Sequence, residues 1–425
     1  LEENVMRGLR NGLMAAAVLV VGFVGGAARG EMSFLRAEGV NIVDAEGKVV
    51  DLRGINLGGW LVQEMWMMPF ETRGPGGGGG AVAATQAGGG TRPRRRPEIP
   101  DQVTLWKTIE GRLGAAAMGR VRTAMRNAWL NESDFDRIQK AGFNLVRLPF
   151  RAAMLEEPGG MEWLDRAVAW GEKRGIYVVL DLHGAPGGQA ADQPTGDVSH
   201  NEFFKDHANV EKACALWTTL ATRYKDRAAV AGYDLVNEPM GAPNAETVQV
   251  VNDAMYRAIR AVDAKHLVFA EDGYKGTDSF PVPAAAGWSN VVYSTHHYDF
   301  QAKSVEDQLT QADDLFKRVT KLQSDFGVPV YVGEFNQAQH GTAETMHALA
   351  VGMTARHWAW SVWTYKIIFR QGNDSMWGLY TNEKELTRIN PFSDTEAEMV
   401  AKMPQYRTEN LQENPAIVRM MEPGR

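Results

Sequence analysis

LVNEP, residues 235–239, joins two residues that suit a protein core to three that do not. Leu235 and Val236 continue the apolar run that begins VAGYD at Val230, and Asn237, Glu238 and Pro239 stop it. Proline ends a strand because it has no N–H to give to the ladder. A carboxylate at the end of a buried strand is costly unless something pairs it or uses it. The same kind of ending recurs along the chain. FNLVRLP (143–149) carries Arg147, IYVVLDLH (176–183) ends on His183, and HLVFAED (266–272) passes through Glu271. VVYSTHHY (291–298) holds His296 and Tyr298, VPVYVGEF (328–335) holds Glu334, and WAWSVWTYK (358–366) holds Trp363. VVDLRGIN (49–56) reads as the first strand of this series and runs into the segment Asn56 to Trp60.

Helical patterns separate these runs: one from Ser133, where Asp136 gives a weak start signal, to Gly142, then 161–175, 210–225, 246–263, 306–326 and 343–357. Strands that are apolar on both faces and alternate with helices predict a parallel sheet covered on both sides. Eight such units predict a closed (β/α)8 TIM barrel. An open doubly wound sheet is the runner-up, and no G-x-G-x-x-G follows the first strand to support it. In a barrel of this type the functional site lies at the C-terminal ends of the strands. Each polar strand end has a bland reading alone: Arg147 as a structural ion pair, His183 as a satisfied core histidine, Trp363 as packing. Their convergence on one face is what singles them out.

Glu238 ends the fourth strand and Glu334 the seventh, so they face each other across the barrel mouth. Two opposed carboxylates are the working parts of glycoside hydrolysis. Their pKa values have to be pushed apart. A cation beside Glu334 lowers its value, and a drier pocket with a second carboxylate raises that of Glu238. A metal reading of His296-His297 is set aside, because neighbours on a strand point to opposite faces. No metal and no cofactor is expected.

The 425 residues suit one large barrel with insertions, and 44% hydrophobic residues allow a sizeable core. The 12 tryptophans are many, and some are expected at a surface or cleft. A formal net charge of −7 argues against nucleic acid as a partner. With Cys214 as the one cysteine there is neither an intrachain disulfide nor a Cys-rich zinc site.

Residues 1–30 hold a basic, then apolar, then small-residue stretch from Met6, the pattern of a secretory signal peptide with a few upstream residues. A signal anchor is the alternative. Secretion or periplasmic delivery is the expectation, without stable membrane insertion. Residues 31–425 then form a single catalytic barrel, with the Gly- and Arg-rich stretch 74–97 a disordered insertion in the first loop. VNIVDAEGKVVDLRG (40–54) reads as a hairpin about Ala45-Glu46-Gly47 that plugs the barrel bottom. The segment from Val103 to Leu130 reads as a helical addition that walls one end of the cleft.

RGINLGGWL, FNLVRLPF, VVLDLHGAPGGQ, YDLVNEP, YSTHHY, YVGEF and WSVWTYK, in this order, resemble glycoside hydrolase family 5, the retaining, cellulase-like family. The resemblance implies Glu238 as acid/base and Glu334 as nucleophile. It implies Asn237 as the amide on the sugar 2-hydroxyl, Arg147 beneath the nucleophile, His183 after strand three, His296 and Tyr298 as the His-x-Tyr pair, and Trp363 as the sugar platform. It implies a β-glucan poly- or oligosaccharide as substrate, with RGINLGGWLV and DLHGAPGGQ nearest the exo-β-glucanase-like branch. A β-mannanase, a glycoside or glycolipid hydrolase and a transglycosylase would use the same two glutamates, and a non-catalytic sugar-binding barrel is a further alternative. Phe369, Trp377 and Tyr380 are candidate contacts for further sugars. A monomer is expected.

Overall fold

The computed structural model describes residues 32–74, 98–337, 340–369 and 377–422. The signal-peptide expectation for 1–30, and nearly all of the insertion expected at 74–97, lie outside the described residues. The eight expected strands form: β1 (Arg53–Asn56), β2 (Leu145–Arg151), β3 (Tyr177–Gly184), β4 (Val230–Asp234), β5 (Leu267–Glu271), β6 (Val291–Tyr298), β7 (Val330–Asn336) and β8 (Ala359–Val362). They pair in parallel in chain order, and β8 closes on β1, which makes a barrel rather than an open sheet. Register sets the site: Asn56 lies opposite Arg147, Asp181 opposite Asp234, and His296 opposite Glu334.

The helices are α1 (Gln102–Leu113), α2 (Ala115–Trp129), α3 (Glu132–Lys140), α4 (Gly160–Arg174), α5 (His207–Tyr224), α6 (Ala245–Arg260), α7 (Val305–Phe326) and α8 (Ala343–Thr354). Their apolar faces and the outer faces of the strands make one core, in which Trp217, Trp360 and Tyr224 are fully buried. α3 is capped two residues before its sequence signal at Ser133. Asn131 caps it and Asp134 completes a capping box, because these side chains reach the free N–H groups and those of Ser133 and Asp136 do not. Trp217 on α5 donates Nε1 to the Leu235 carbonyl at 3.0 Å, which satisfies the strand end just before Asn237.

A second apolar layer, with Leu145, Val179, Leu267, Phe269, Val292 and Tyr331, fills the lower barrel interior. Leu35 and Ile42 pack onto it, so an N-terminal hairpin does cover the bottom. Its ladder pairs Arg36–Glu38 with Asn41–Val43, and the expected turn near Ala45 forms a second bend, held by Asp44 N–H to Lys48 O at 3.0 Å. Among the described residues no helix is long and apolar enough to cross a membrane.

α1 and α2 depart from expectation. They line no part of the cleft but stand behind the loop that follows β1. Gln102 accepts from Gln63 N–H at 2.8 Å, Trp129 Nε1 donates to Gly58 O at 2.9 Å, and Trp60 Nε1 donates to Arg126 O at 3.0 Å. Gly58 explains the paired glycines of NLGGW: a Cβ there would meet Thr364 Oγ1 at 2.6 Å and the Trp363 ring at 2.9 Å.

Candidate active site

All eight singled-out residues meet at the C-terminal mouth of the barrel, and Arg147 is their centre. Its guanidinium, fully buried on β2, donates to Glu334 Oε1 (2.7 Å), Glu271 Oε1 (2.9 Å), Asp234 Oδ2 (2.9 Å), Asn237 Oδ1 (2.9 Å) and Asn56 Oδ1 (3.2 Å). Asp181 Oδ2 lies 3.1 Å from the same group. Four carboxyl groups around one cation cannot all ionise in a dry interior. Burial drives the Asp181 and Asp234 carboxyls upward against the pull of Arg147.

Above this knot lie the two glutamates. Glu334 accepts from Arg147 on one oxygen and from Tyr298 on the other, at 2.8 Å. Glu238 accepts on Oε1 from His296 Nδ1 at 2.9 Å and from the Tyr274 hydroxyl at 2.8 Å. Its N–H donates to Glu271 Oε2 at 2.7 Å. Its φ is +41°, left-handed for a non-glycine residue, a strain tolerated where neighbours fix the chain. The Glu238 and Glu334 carboxylates offer oxygens within 4.8 Å of each other and of a His296 nitrogen. That geometry could also seat a cation, but here all three groups are already hydrogen-bonded to Arg147, Tyr274, Tyr298 or one another.

The electrostatics of Glu238 reverse the expectation. Burial would raise its carboxyl, but the His296 hydrogen bond and charge and the Tyr274 hydroxyl outweigh it and hold the group below the usual range. His296 is the counterpart. Burial disfavours its imidazolium, yet Glu271, Glu334 and Glu238 around it raise it well above an ordinary histidine. These surroundings favour a proton on His296 over one on Glu238. Burial lowers His183 to about 4, so it is neutral; its ring stacks on Trp363 at 5.6 Å and 11°. His297 lines a separate hollow against α7 with Arg318 and Lys321.

A cavity of about 580 Å³ opens over the pair. Glu64 and Trp66 from the β1 loop, and Asp192 and Gln193 from the β3 loop, line it together with Tyr274, Tyr298, Phe300, Trp363 and Trp377. Of the three downstream aromatics, only Trp377 reaches the cavity; Tyr380 packs on Tyr365 at 5.4 Å.

The cellulase profile of glycosyl hydrolase family 5 matches residues 114–367, over half of the chain. This chain belongs to glycosyl hydrolase family 5. It is accordingly a retaining O-glycosyl hydrolase with a carbohydrate substrate. Proteins similar to it include a β-xylosidase of Phanerodontia chrysosporium, 28% identical over 374 residues, which cover 80% of this chain and 72% of that one. A probable glucan 1,3-β-glucosidase A of Aspergillus niger is 29% identical over 325 residues, 72% of this chain and 69% of that one. The fold is similar to that of a rutinosidase from Aspergillus niger, with a TM-score of 0.55 at 18% identity over 79% of this chain and 93% of that one. It is also similar to a β-glucanase from Saccharophagus degradans, with a TM-score of 0.51 at 17% identity over 79% and 85%.

In this family 5 site, sequence reasoning missed Asp181, Asp234, Glu64, Asp192 and Tyr274. Asp181 had a signal: it lies two residues before His183 on an apolar strand, so both share the inward face. Glu64 and Tyr274 sit on loops without a pattern. Glu64 is buried with its carboxyl pushed up to about 8, by burial first and then by Glu334, Glu238 and Asp192 nearby, although Trp66 Nε1 donates to it at 2.9 Å. The folded protein thus holds a proton that the unfolded chain releases near pH 4.5, and stability falls as pH rises from there to about 8. Glu64→Gln keeps the acceptor for Trp66 and removes this cost. Its melting temperature relative to wild type is expected to rise by a few degrees between pH 4.5 and pH 8, and a difference that stays flat with pH would refute the assignment.

Proposed function

We propose that this family 5 enzyme releases sugar units from the ends of β-glucans by double displacement. The observation that carries the reading is the carboxylate pair, with oxygens within 4.8 Å of each other across a cavity. That spacing matches a retaining arrangement, about 5–5.5 Å between the carboxyl groups, and is too close for the water-bearing gap of an inverting one. Glu334 is the nucleophile: Arg147 and Tyr298 fix both its oxygens, so attack on the anomeric carbon requires little reorganisation. Glu238 is the acid/base: His296 Nδ1 and the Tyr274 hydroxyl both occupy its Oε1, at 2.9 Å and 2.8 Å, which leaves Oε2 to carry the proton for the leaving oxygen. A sugar that fills the cavity expels water and so raises the Glu238 carboxyl toward its protonated, acid form.

Asn237 supports the same reading. Its Oδ1 is taken by Arg147, while Nδ2 is buried without a partner among the described residues. A buried donor left alone costs about 1–3 kcal/mol, a cost that a bound sugar hydroxyl removes. Trp363, backed by His183, offers the ring on which the pyranose packs. Chain-end action is supported by the similarity to a glucan 1,3-β-glucosidase and a β-xylosidase and by the Glu64, Trp66 and Asp192 wall, which supplies acceptors for terminal hydroxyls. The N-terminal pattern supports delivery outside the cytoplasm, and the net charge of −7 weighs against nucleic acid.

The test is product chromatography on laminarin, pustulan, carboxymethylcellulose, glucomannan and xylo-oligosaccharides. Glucose alone from one glucan is expected; a ladder of oligosaccharides would overturn chain-end action, and xylose alone would move the substrate to β-xylosides. Glu238→Ala is expected to lose about 10²- to 10⁴-fold on natural glucans and far less on aryl glucosides whose leaving group needs no proton. Equal losses on both would remove Glu238 from the acid role.

A further inference from the structure

Tyr274 is not part of the barrel wall. It stands on the short loop after β5, half exposed, with its hydroxyl 2.8 Å from Glu238 Oε1. Its backbone is left-handed, with φ +58°, as is that of Gly273 before it at +57°. Gly273 has no freedom to change: a Cβ there would meet Pro239, the residue after Glu238, at 2.7 Å. Asp272 Oδ1 accepts from Tyr274 N–H at 3.0 Å, and Lys275 Nζ donates to Met240 O at 3.1 Å. The Tyr274 loop is thereby tied to the two residues that follow Glu238, Pro239 and Met240. A strained backbone held this tightly points to a side chain that is aimed.

It is aimed at one oxygen only. Oε1 takes both Tyr274 and His296, and Oε2 has no protein partner among the described residues. A carboxyl whose one oxygen accepts two donors carries its proton on the other. The Tyr274 ring lines the same cavity as Glu238, with Phe300 and Met240. A departing sugar whose oxygen met Oε2 would stand in that cavity.

We propose that Tyr274 is a positioning and specificity residue: its hydroxyl presents Glu238 Oε2 to the glycosidic oxygen, and its ring walls the subsite of the leaving sugar. This rests on the reading of Glu238 as acid/base. The groups that face Glu238 are His296 and Tyr298 on β6, Glu271 on β5, Glu334 on β7, His183 and Asp181 on β3, Arg147 on β2 and Glu64 on the β1 loop. All of these persist when the Tyr274 hydroxyl alone is removed. The phenol is kept protonated by burial and by the charge of Glu238, so it acts as a donor throughout.

The sign of the effect follows. A donor stabilises the carboxylate, so Tyr274→Phe raises the Glu238 value and moves the alkaline limb of kcat/KM upward, by about one pH unit for one charge-assisted hydrogen bond. Tyr274→Ala adds loss of the ring: KM for a glucan disaccharide rises several-fold, while KM for a glucoside of a small alcohol stays put. The experiment measures pH profiles of kcat/KM for wild type, Tyr274→Phe and Tyr274→Ala on both substrates, with Glu238→Ala alongside on aryl and natural glucosides. An alkaline limb unmoved in Tyr274→Phe overturns the positioning role, and equal KM changes on both substrates in Tyr274→Ala overturn the subsite role. If Glu238→Ala loses no leaving-group selectivity, the acid/base reading itself fails, and the two failures are told apart.

Discussion

Glu334→Gln is expected to lower kcat/KM by about four to six orders of magnitude while the fold survives. The amide keeps the shape of the carboxylate and can still accept from Arg147, but it cannot form the glycosyl ester. Charge balance favours survival. Arg147 and His296 sit among Glu238, Glu271 and Glu334, so the loss of one carboxylate still leaves both basic groups with carboxylate partners. Thermal unfolding is therefore expected within a few degrees of wild type. Glu334→Ala adds a sharper readout. Azide enters the space of the missing carboxylate, displaces the leaving group once, and gives the α-glycosyl azide. A β-azide, or a turnover rate near wild type in either variant, would remove Glu334 from the nucleophile's role.

Arg147→Met is expected to cost stability as well as activity. The guanidinium is the shared partner of Asn56, Asp181, Asp234, Asn237, Glu271 and Glu334, all buried. Removal of one side of a buried ion pair costs about 3–5 kcal/mol, because the partner charge stays behind unpaired. The loss is expected to shrink at acid pH. Glu271 sits below the usual carboxylate range in the folded protein: burial alone would raise it, but His296 and Arg147 lower it. A depressed carboxyl contributes stability above its unfolded value and loses it as pH falls through the folded one. With Arg147 gone that contribution is mostly absent, so the gap between variant and wild type in urea unfolding should be wide at pH 7 and narrow only well below pH 4.5, once pH has fallen through the folded value. A gap of the same size at both would mean that packing, not charge, holds the knot together.

The barrel was legible because its strands are unusually plain. IYVVLDLH and VVYSTHHY are long apolar runs, and each puts its polar residues at the end where a closed parallel barrel needs them. Arg147, Glu238 and Glu334 could be named for the same reason: a charge on a buried strand has few explanations. Three things were out of reach. Glu64 and Tyr274 come from loops whose course depends on tertiary ties such as Gly273 against Pro239, and no local pattern encodes those. The place of α1 and α2 behind the first loop follows from indole and amide hydrogen bonds between distant segments. The direction of the Glu238 shift depends on which of several close groups holds the proton, and that is a property of distances. A sequence supplies the carboxylates; only the fold shows that the His296 imidazole stands among them.

The distribution of the site over the strands also governs how the chain can be divided. Arg147, His183 and Glu238 arrive with the first four strands and the segment after them, and Glu271, His296, Tyr298, Glu334 and Trp363 with the last four and the segment after β8. A cut in the short connection between Glu238 and α6 would part the acid/base from the nucleophile and leave one guanidinium facing two carboxyls in the first fragment. Neither fragment would hold a working pair. Turnover would return only when two fragments reassemble in equal numbers, so this barrel carries the layout of a split reporter, silent in halves and active on reunion.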